Sequence, residues 1–283
     1  MEYLLMMALS GSTMTVIYLT MRRVLQNRVS ARLYYLLARA AVLYYLIPLP
    51  FLKGWYREVL YRIMPPGQTG IVQTSLTWTK HVVYADGKRY VSTYTFLQAS
   101  AAVVWLLVVC LLMAGMLRDY VKTSRVIMKC ADRKMTDSQE SVLAGIKEQY
   151  EVKQHVALGR GHAGIHTMTF GVRNPFIILD RDLESPEAEL LVSHEMVHIK
   201  RRDVLWKILL QLAAILHWWN PLMRTLRQDF ECVCECSCDE IAIEGKAEEE
   251  IHMYRVLLTE QILLPEQAKK VSLRWKTGFM CTV

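Results

Sequence analysis

Residues 185–203 read SPEAELLVSHEMVHIKRRD. Ser185 suits a helix N-cap, and Pro186 suits the first helical position, where a missing N–H costs nothing. A helix is therefore expected over Pro186–Arg202. Within it His194 and His198 lie four positions apart, on one face and one turn from each other. They present two imidazoles to one point, at a spacing that suits a single zinc ion. Glu195 stands beside them, placed as catalytic base to take a proton from water activated by the metal. This is the arrangement of a metallopeptidase, and it needs one more protein ligand.

That ligand is expected downstream. Asn220-Pro221 opens another helix, with Asn at the N-cap and Pro at the first turn. The segment 229–240 reads DFECVCECSCDE and sets Glu231, Glu235 and Asp239 at intervals of four on one face. Glu235 is the preferred metal ligand and Glu231 its rival. Asp239, one turn beyond Glu235, is expected to accept a hydrogen bond from a ligand histidine. Cys232, Cys234, Cys236 and Cys238 would share one side of a strand. In a helix they step by about 200° and split across two faces. Buried small residues are the favoured reading for them, with a second metal or redox site as the alternative.

Upstream, Val152–Asp180 is punctuated by Gly159, Gly161, Gly164 and Gly171, and it carries the β-prone run Phe176-Ile177-Ile178-Leu179. A small sheet is expected here. The run 176–179 is expected to be an exposed edge strand whose free N–H and C=O groups pair with an extended substrate. Only one of Ile177 and Ile178 should then line the core.

The rest of the chain is dominated by apolar blocks. Of its 283 residues 53% are hydrophobic and 22% charged. Blocks at about 3–19, 33–52 and 96–117 approach the roughly 20 residues that cross a bilayer; the second contains Arg39. A fourth hydrophobic helix near 204–223 is interrupted by Lys207, Gln211, His217 and Asn220. Two dense basic clusters, Arg22–Arg32 and Arg118–Lys134, should be cytoplasmic by the positive-inside rule. That puts the N-terminus and the loop 53–95 outside. The first block is read as a retained helix, because its positive charges follow the apolar run. Topology accounts for most of the net charge of +7, so direct nucleic-acid binding is not expected. Asp86-Gly87 between two Thr, Val and Tyr-rich stretches predicts an external β-hairpin. No cysteine falls in the outer loop, which fits reduced thiols and no structural disulfide.

The expected organisation is a membrane domain, 1–117, with three transmembrane helices, followed by a cytoplasm-facing zinc protease domain, 118–283. The fold class is a mainly α-helical integral membrane protein with a small α+β protease domain.

Several separated motifs give the chain a family likeness. They are Thr169-Phe170-Gly171 with Asn174-Pro175 and Phe176–Leu179, then His194–His198 with Ile199-Lys200-Arg201-Arg202-Asp203, then Trp218-Trp219-Asn220-Pro221-Leu222, and Glu235 followed by Cys238-Asp239-Glu240. In these the chain resembles the BlaR/MecR-type antirepressor metallopeptidases, over nearly its whole length. The resemblance implies a gluzincin-like domain built on membrane helices, with the Glu of a Glu-x-x-Cys-Asp pattern as third zinc ligand. That favours Glu235 over Glu231. It also implies signalling by proteolysis, with a protein substrate such as a cytoplasmic transcriptional repressor. The penicillin-binding sensor of the best-known members carries a Ser-x-x-Lys motif, and no such motif occurs in these 283 residues. The leading expectation is a regulatory endopeptidase that cleaves a repressor or itself. The alternatives are a housekeeping membrane protease of prenyl-protein or quality-control type, and a silent metal-binding scaffold. Glu195 speaks against the scaffold, since a purely structural site has no use for a base.

Overall fold

The computed structural model describes residues 2–25, 28–47, 82–85, 88–91, 93–130, 137–160, 167–179 and 185–263. In chain order the elements are α1 (Glu2–Leu25), α2 (Ala31–Leu46), β1 (Val82–Ala85), β2 (Lys88–Val91), α3 (Thr93–Cys130) and α4 (Asp137–Gln149). There follow β3 (Ala157–Arg160), β4 (Met168–Phe170), β5 (Phe176–Leu179), α5 (Pro186–Arg201), α6 (Asp203–Leu216), α7 (Pro221–Ala242) and α8 (Glu248–Leu263).

Among the described residues two helices are long and apolar enough to cross a bilayer. They are Tyr3–Leu25, of mean hydropathy 1.5, and Ala99–Arg125, of mean hydropathy 2.5. They differ in how they are used. A third of the first is buried within the protein, against 6% of the second, so α3 offers almost all its apolar surface outward. Helix α1 lies along α2, and the contact depends on a small residue. A Cβ at Gly11 would sit 2.4 Å from the Tyr45 ring, a close approach typical of helices packed within membranes. Arg39 of α2 is accommodated by stacking, with its guanidinium 4.1 Å from the Trp206 ring centroid.

The segment 204–223 does not form one helix. Helix α6 ends at Leu216, the chain turns through His217–Trp219, and α7 begins at Pro221. At about 1.5 Å per residue, the 14 residues of α6 span about 21 Å, short of the ~30 Å hydrocarbon layer. The cause is the Asn-Pro pair: Pro disfavours helical conformation in the residue before it and cannot donate to the preceding turn. Asn220 instead caps α7, its side chain accepting from Leu222 N at 3.0 Å. His217 closes α6 by bonding Tyr45 O through Nε2 at 2.9 Å.

The largest buried cluster joins Tyr18, Tyr34, Tyr35, Ala38, Val42 and Tyr45 of α1 and α2 to Leu210, Met223, Leu226 and Phe230 of α6 and α7. Residues on both sides of the expected 117/118 boundary contribute to it. A second cluster sets Leu143 and Ile146 of α4 and Ile177 and Leu179 of β5 against Val192, Met196 and Ile199 of α5.

The hairpin forms with β1 and β2 antiparallel and Ala85 opposite Lys88. Its Asp86-Gly87 turn lies outside the described residues. The second strand stops at Val91, and Thr93–Phe96 already belongs to α3.

The three-stranded sheet corrects one expectation. Its order is β3-β5-β4, with β5 parallel to β3 and antiparallel to β4. Phe176, Ile177, Ile178 and Leu179 therefore form the central strand, and no edge remains there for a substrate. Both isoleucines are buried, at 0% and 1% exposure, and since neighbouring residues of a strand point to opposite faces, both faces of this strand are covered. The edges belong to β3 and β4, and β4 packs against α5. The turn from β4 into β5 needs Gly171. Its φ is +93°, and a Cβ there would meet Asn174 O at 2.7 Å.

Candidate metal centre

Helix α5 starts as its sequence dictates. Ser185 Oγ accepts from Ala188 N at 3.2 Å, and Pro186 occupies the first turn. Its inner face buries Val192, Met196 and Ile199 against α4 and β5, which aims the other face, with His194 and His198, at α7. The two imidazoles meet edge to face, with Nε2 atoms 3.1 Å apart. One oxygen of Glu235, Oε2, lies 3.5 Å from His194 Nε2 and 3.4 Å from His198 Nε2. Donors about 2.0–2.1 Å from a tetrahedral zinc ion are about 3.3–3.4 Å from each other. The three atoms thus already stand at the mutual distances that such an ion requires. Glu195, 8% exposed, sits next to them on α5.

Both histidines are anchored through Nδ1. His194 Nδ1 lies 2.6 Å from Tyr254 Oη and 3.2 Å from Asp239 Oδ1, and the Tyr254 hydroxyl donates to the same Asp239 oxygen at 2.6 Å. His198 Nδ1 lies 2.7 Å from Asp203 Oδ2. With each Nδ1 engaged by an acceptor, Nε2 is left to face the shared point. Glu235 Oε1, turned the other way, accepts from Lys207 Nζ at 3.4 Å.

The electrostatics favour a cation. Burial by itself disfavours imidazolium. Hydrogen bonds that Asp239, Cys238 and Glu235 accept nonetheless lift His194 well above the usual histidine range, and the charge of Glu235 does the same for His198. Burial raises Glu235, but the charges of His198 and Lys207 outweigh it and hold the carboxyl well below its ordinary range. Three carboxylates, Glu235, Asp239 and Asp203, thus surround two histidines.

Two further donor groups lie close by: His194, His198 and Cys238, and His198, Asp203 and Cys234. Cys238 Sγ points to His194 O at 3.3 Å and Cys234 Sγ to Asp203 Oδ2 at 3.4 Å, so both thiols act as donors within the protein. The four cysteines divide as a helix requires, with Cys234 and Cys238 buried and Cys232 and Cys236 exposed.

The structure brings His194, His198, Glu235 and Asp239 together, with Glu195 adjacent to His194 on α5. Glu231 lies one turn before Glu235 on α7, and Phe176–Leu179 lie in the sheet behind α5. Asp203, Tyr254, Lys207, Arg201 and Tyr35 are the residues that sequence reasoning missed. Asp203 lies in the same run as the histidines, but in a continuous helix a residue five positions on points about 140° away. Arg202 changes this. Its left-handed backbone, φ 56° and ψ 42°, ends α5, turns the chain and returns Asp203 to His198. Such a conformation is unusual for a side chain larger than glycine, and the sequence carries no sign of it.

The family's sequence profile, described as BlaR1 peptidase M56, matches residues 2–281. Among curated proteins the chain is similar to Regulatory protein BlaR1 of Bacillus licheniformis, 29% identical over 155 residues, covering 53% of this chain and 25% of that protein. It is also similar to the Methicillin resistance mecR1 protein of Staphylococcus aureus, 23% identical over 132 residues, covering 45% of this chain and 23% of the relative. The matched stretch is thus about a quarter of each relative's length. With paired histidines, a convergent carboxylate and a profile match over nearly its full length, the chain belongs to the BlaR1 peptidase M56 family.

Proposed function

We propose that this chain is a membrane zinc endopeptidase that regulates by cleaving a cytoplasmic protein, either a transcriptional repressor or the protease itself. The observation that carries the reading is the convergence of His194 Nε2, His198 Nε2 and Glu235 Oε2 within 3.1–3.5 Å beside a buried Glu195. Zinc held by these three residues supplies Lewis acidity toward the scissile carbonyl and toward water. Glu195 takes the proton from the attacking water and passes it to the leaving amine. Asp239 with Tyr254, and Asp203, keep the two histidines in the tautomer that faces the metal. Glu235 is preferred over Cys238 as third ligand because a single oxygen stands nearly equidistant from both imidazoles, whereas the thiol is turned to a backbone carbonyl. The regulatory assignment follows the relative described as a regulatory protein.

The test uses full-length protein in detergent. Glu195→Gln is expected to retain about one zinc per chain and lose peptide hydrolysis, since the ligands remain while the base is gone. A Glu195→Gln protein that hydrolyses at the wild-type rate would end this mechanism.

The basic clusters at 22–32 and 118–134 support a cytoplasmic active site with the N-terminus outside. A cysteine placed at Tyr84 in β1 should react in intact cells with an impermeant thiol reagent added outside, and one placed at Lys147 in α4 should not. The reverse pattern would move the active site to the other compartment.

A further inference from the structure

We infer that Tyr35 of helix α2 is a positioning residue for the metal centre, acting on His198 through Asp203. This rests on the reading of His194, His198 and Glu235 as the metal ligands. Tyr35 is 168 positions from Asp203 in the sequence, and its hydroxyl donates to Asp203 Oδ1 at 2.6 Å. Arg201 Nε reaches the same oxygen at 3.2 Å, and Arg201 Nη2 reaches Oδ2 at 2.8 Å. Oδ2 also faces His198 Nδ1 at 2.7 Å. Arg201 is itself held, its guanidinium 4.2 Å from the Tyr35 ring centroid and its Nη1 donating to Ser237 Oγ at 3.0 Å.

The two supports differ in what they do. Arg201 bonds both carboxylate oxygens, so it balances the charge of Asp203, which is 1% exposed. Tyr35 bonds Oδ1 alone and so selects the rotation of the carboxylate that leaves Oδ2 directed at His198. A carboxylate so directed keeps the His198 proton on Nδ1 and the Nε2 lone pair toward the metal. Without the hydroxyl, Asp203 keeps its charge partner Arg201 and loses the shorter of the two bonds to Oδ1, so its rotation is held less tightly. Helix α2, an apolar element far upstream of the metal-binding residues, therefore completes one half of the metal site.

The test compares zinc affinity in full-length detergent-solubilised protein, measured by competition with a chelator of known affinity. Tyr35→Phe keeps the ring against Arg201 and Phe230 and removes only the oxygen. It is expected to weaken zinc binding about 10- to 50-fold, within the range seen for outer supports of metal ligands, and to change the visible absorption of the cobalt-substituted protein. Phe230→Leu, a packing change beside the same ring, should lower the melting temperature and leave zinc affinity at the wild-type value. Asp203→Asn should weaken zinc at least as much as Tyr35→Phe, and the double variant should be no worse than Asp203→Asn alone, because Tyr35 acts only through that carboxylate. Wild-type zinc affinity in Tyr35→Phe, or full additivity in the double variant, overturns the inference. His198→Ala separates this failure from failure of the metal reading: if His198→Ala loses zinc while Tyr35→Phe binds normally, only the role of Tyr35 falls. If His198→Ala keeps its zinc, the ligand assignment falls and takes this inference with it.

Discussion

His194 and His198 stand one turn apart on the same helix, and the protein holds them from opposite directions in different ways. His194 is supported from the C-terminal side, by Asp239 of α7 and Tyr254 of α8, and the Asp239 side chain is 34% exposed. His198 is supported by Asp203, 1% exposed, in a network that draws on α2, α5 and α7. The His194 side is partly open to water and rests directly on two side chains from downstream helices, Asp239 and Tyr254. The His198 side is dry and rests on a carboxylate five positions on, which Tyr35 in turn holds from 168 positions away. Burial makes the second support stronger and also more costly to disturb, since a buried charge that loses its partner finds no water to replace it.

The largest effect should come where the two sides meet. Glu235→Ala removes the oxygen shared by both imidazoles and is expected to weaken zinc binding by more than about 100-fold, whereas Glu231→Ala should bind zinc like wild type. Zinc titration of the two variants decides this. Equal affinities would mean that the two histidines do not share Glu235 as an apex.

The contrast between the sides is sharpened by paired substitutions. Asp203→Asn is expected to cost about 10–100-fold in zinc affinity and also to lower the melting temperature of the zinc-free protein, because Arg201, only 13% exposed, loses its charge partner. Asp239→Asn should cost about tenfold or less in affinity and leave the zinc-free melting temperature nearly unchanged. If the two substitutions had the same effect on melting, the distinction between a dry and an open support would be lost.

The smallest effect concerns the turn that delivers Asp203. Arg202 is exposed and holds φ 56°, a region glycine enters without strain. Arg202→Gly should therefore leave zinc affinity intact and change stability by no more than about 1 kcal/mol, most simply as a gain. A chemical denaturation curve measures it. A large loss of zinc would show that the Arg202 side chain, rather than its backbone, places Asp203.

Local signals were legible in the sequence because the chemistry behind them is local. Ser185-Pro186 and Asn220-Pro221 start helices through their own side chains and missing N–H groups. His194 and His198, and Glu235 and Asp239, share faces through helical period alone. The alternation of buried and exposed cysteines follows from the same period. Strand order was not legible. The run 176–179 reads the same whether it is an edge or a centre, because its place depends on whether β3 and β4 both come to pair with it. The length of α6 was masked by apolar composition that continues past the Asn-Pro break.

The sequence by itself determined which residues can bind a metal and which helix faces carry them, since rotation per residue is a property of the backbone. Only the tertiary structure decided what holds those residues in place. Asp203 reaches His198 through a left-handed residue that no side chain announces, and Tyr35 and Tyr254 arrive from helices whose packing partners are set by the burial of whole faces. Such contacts depend on three-dimensional packing of segments far apart in the chain, and no spacing along the sequence encodes them.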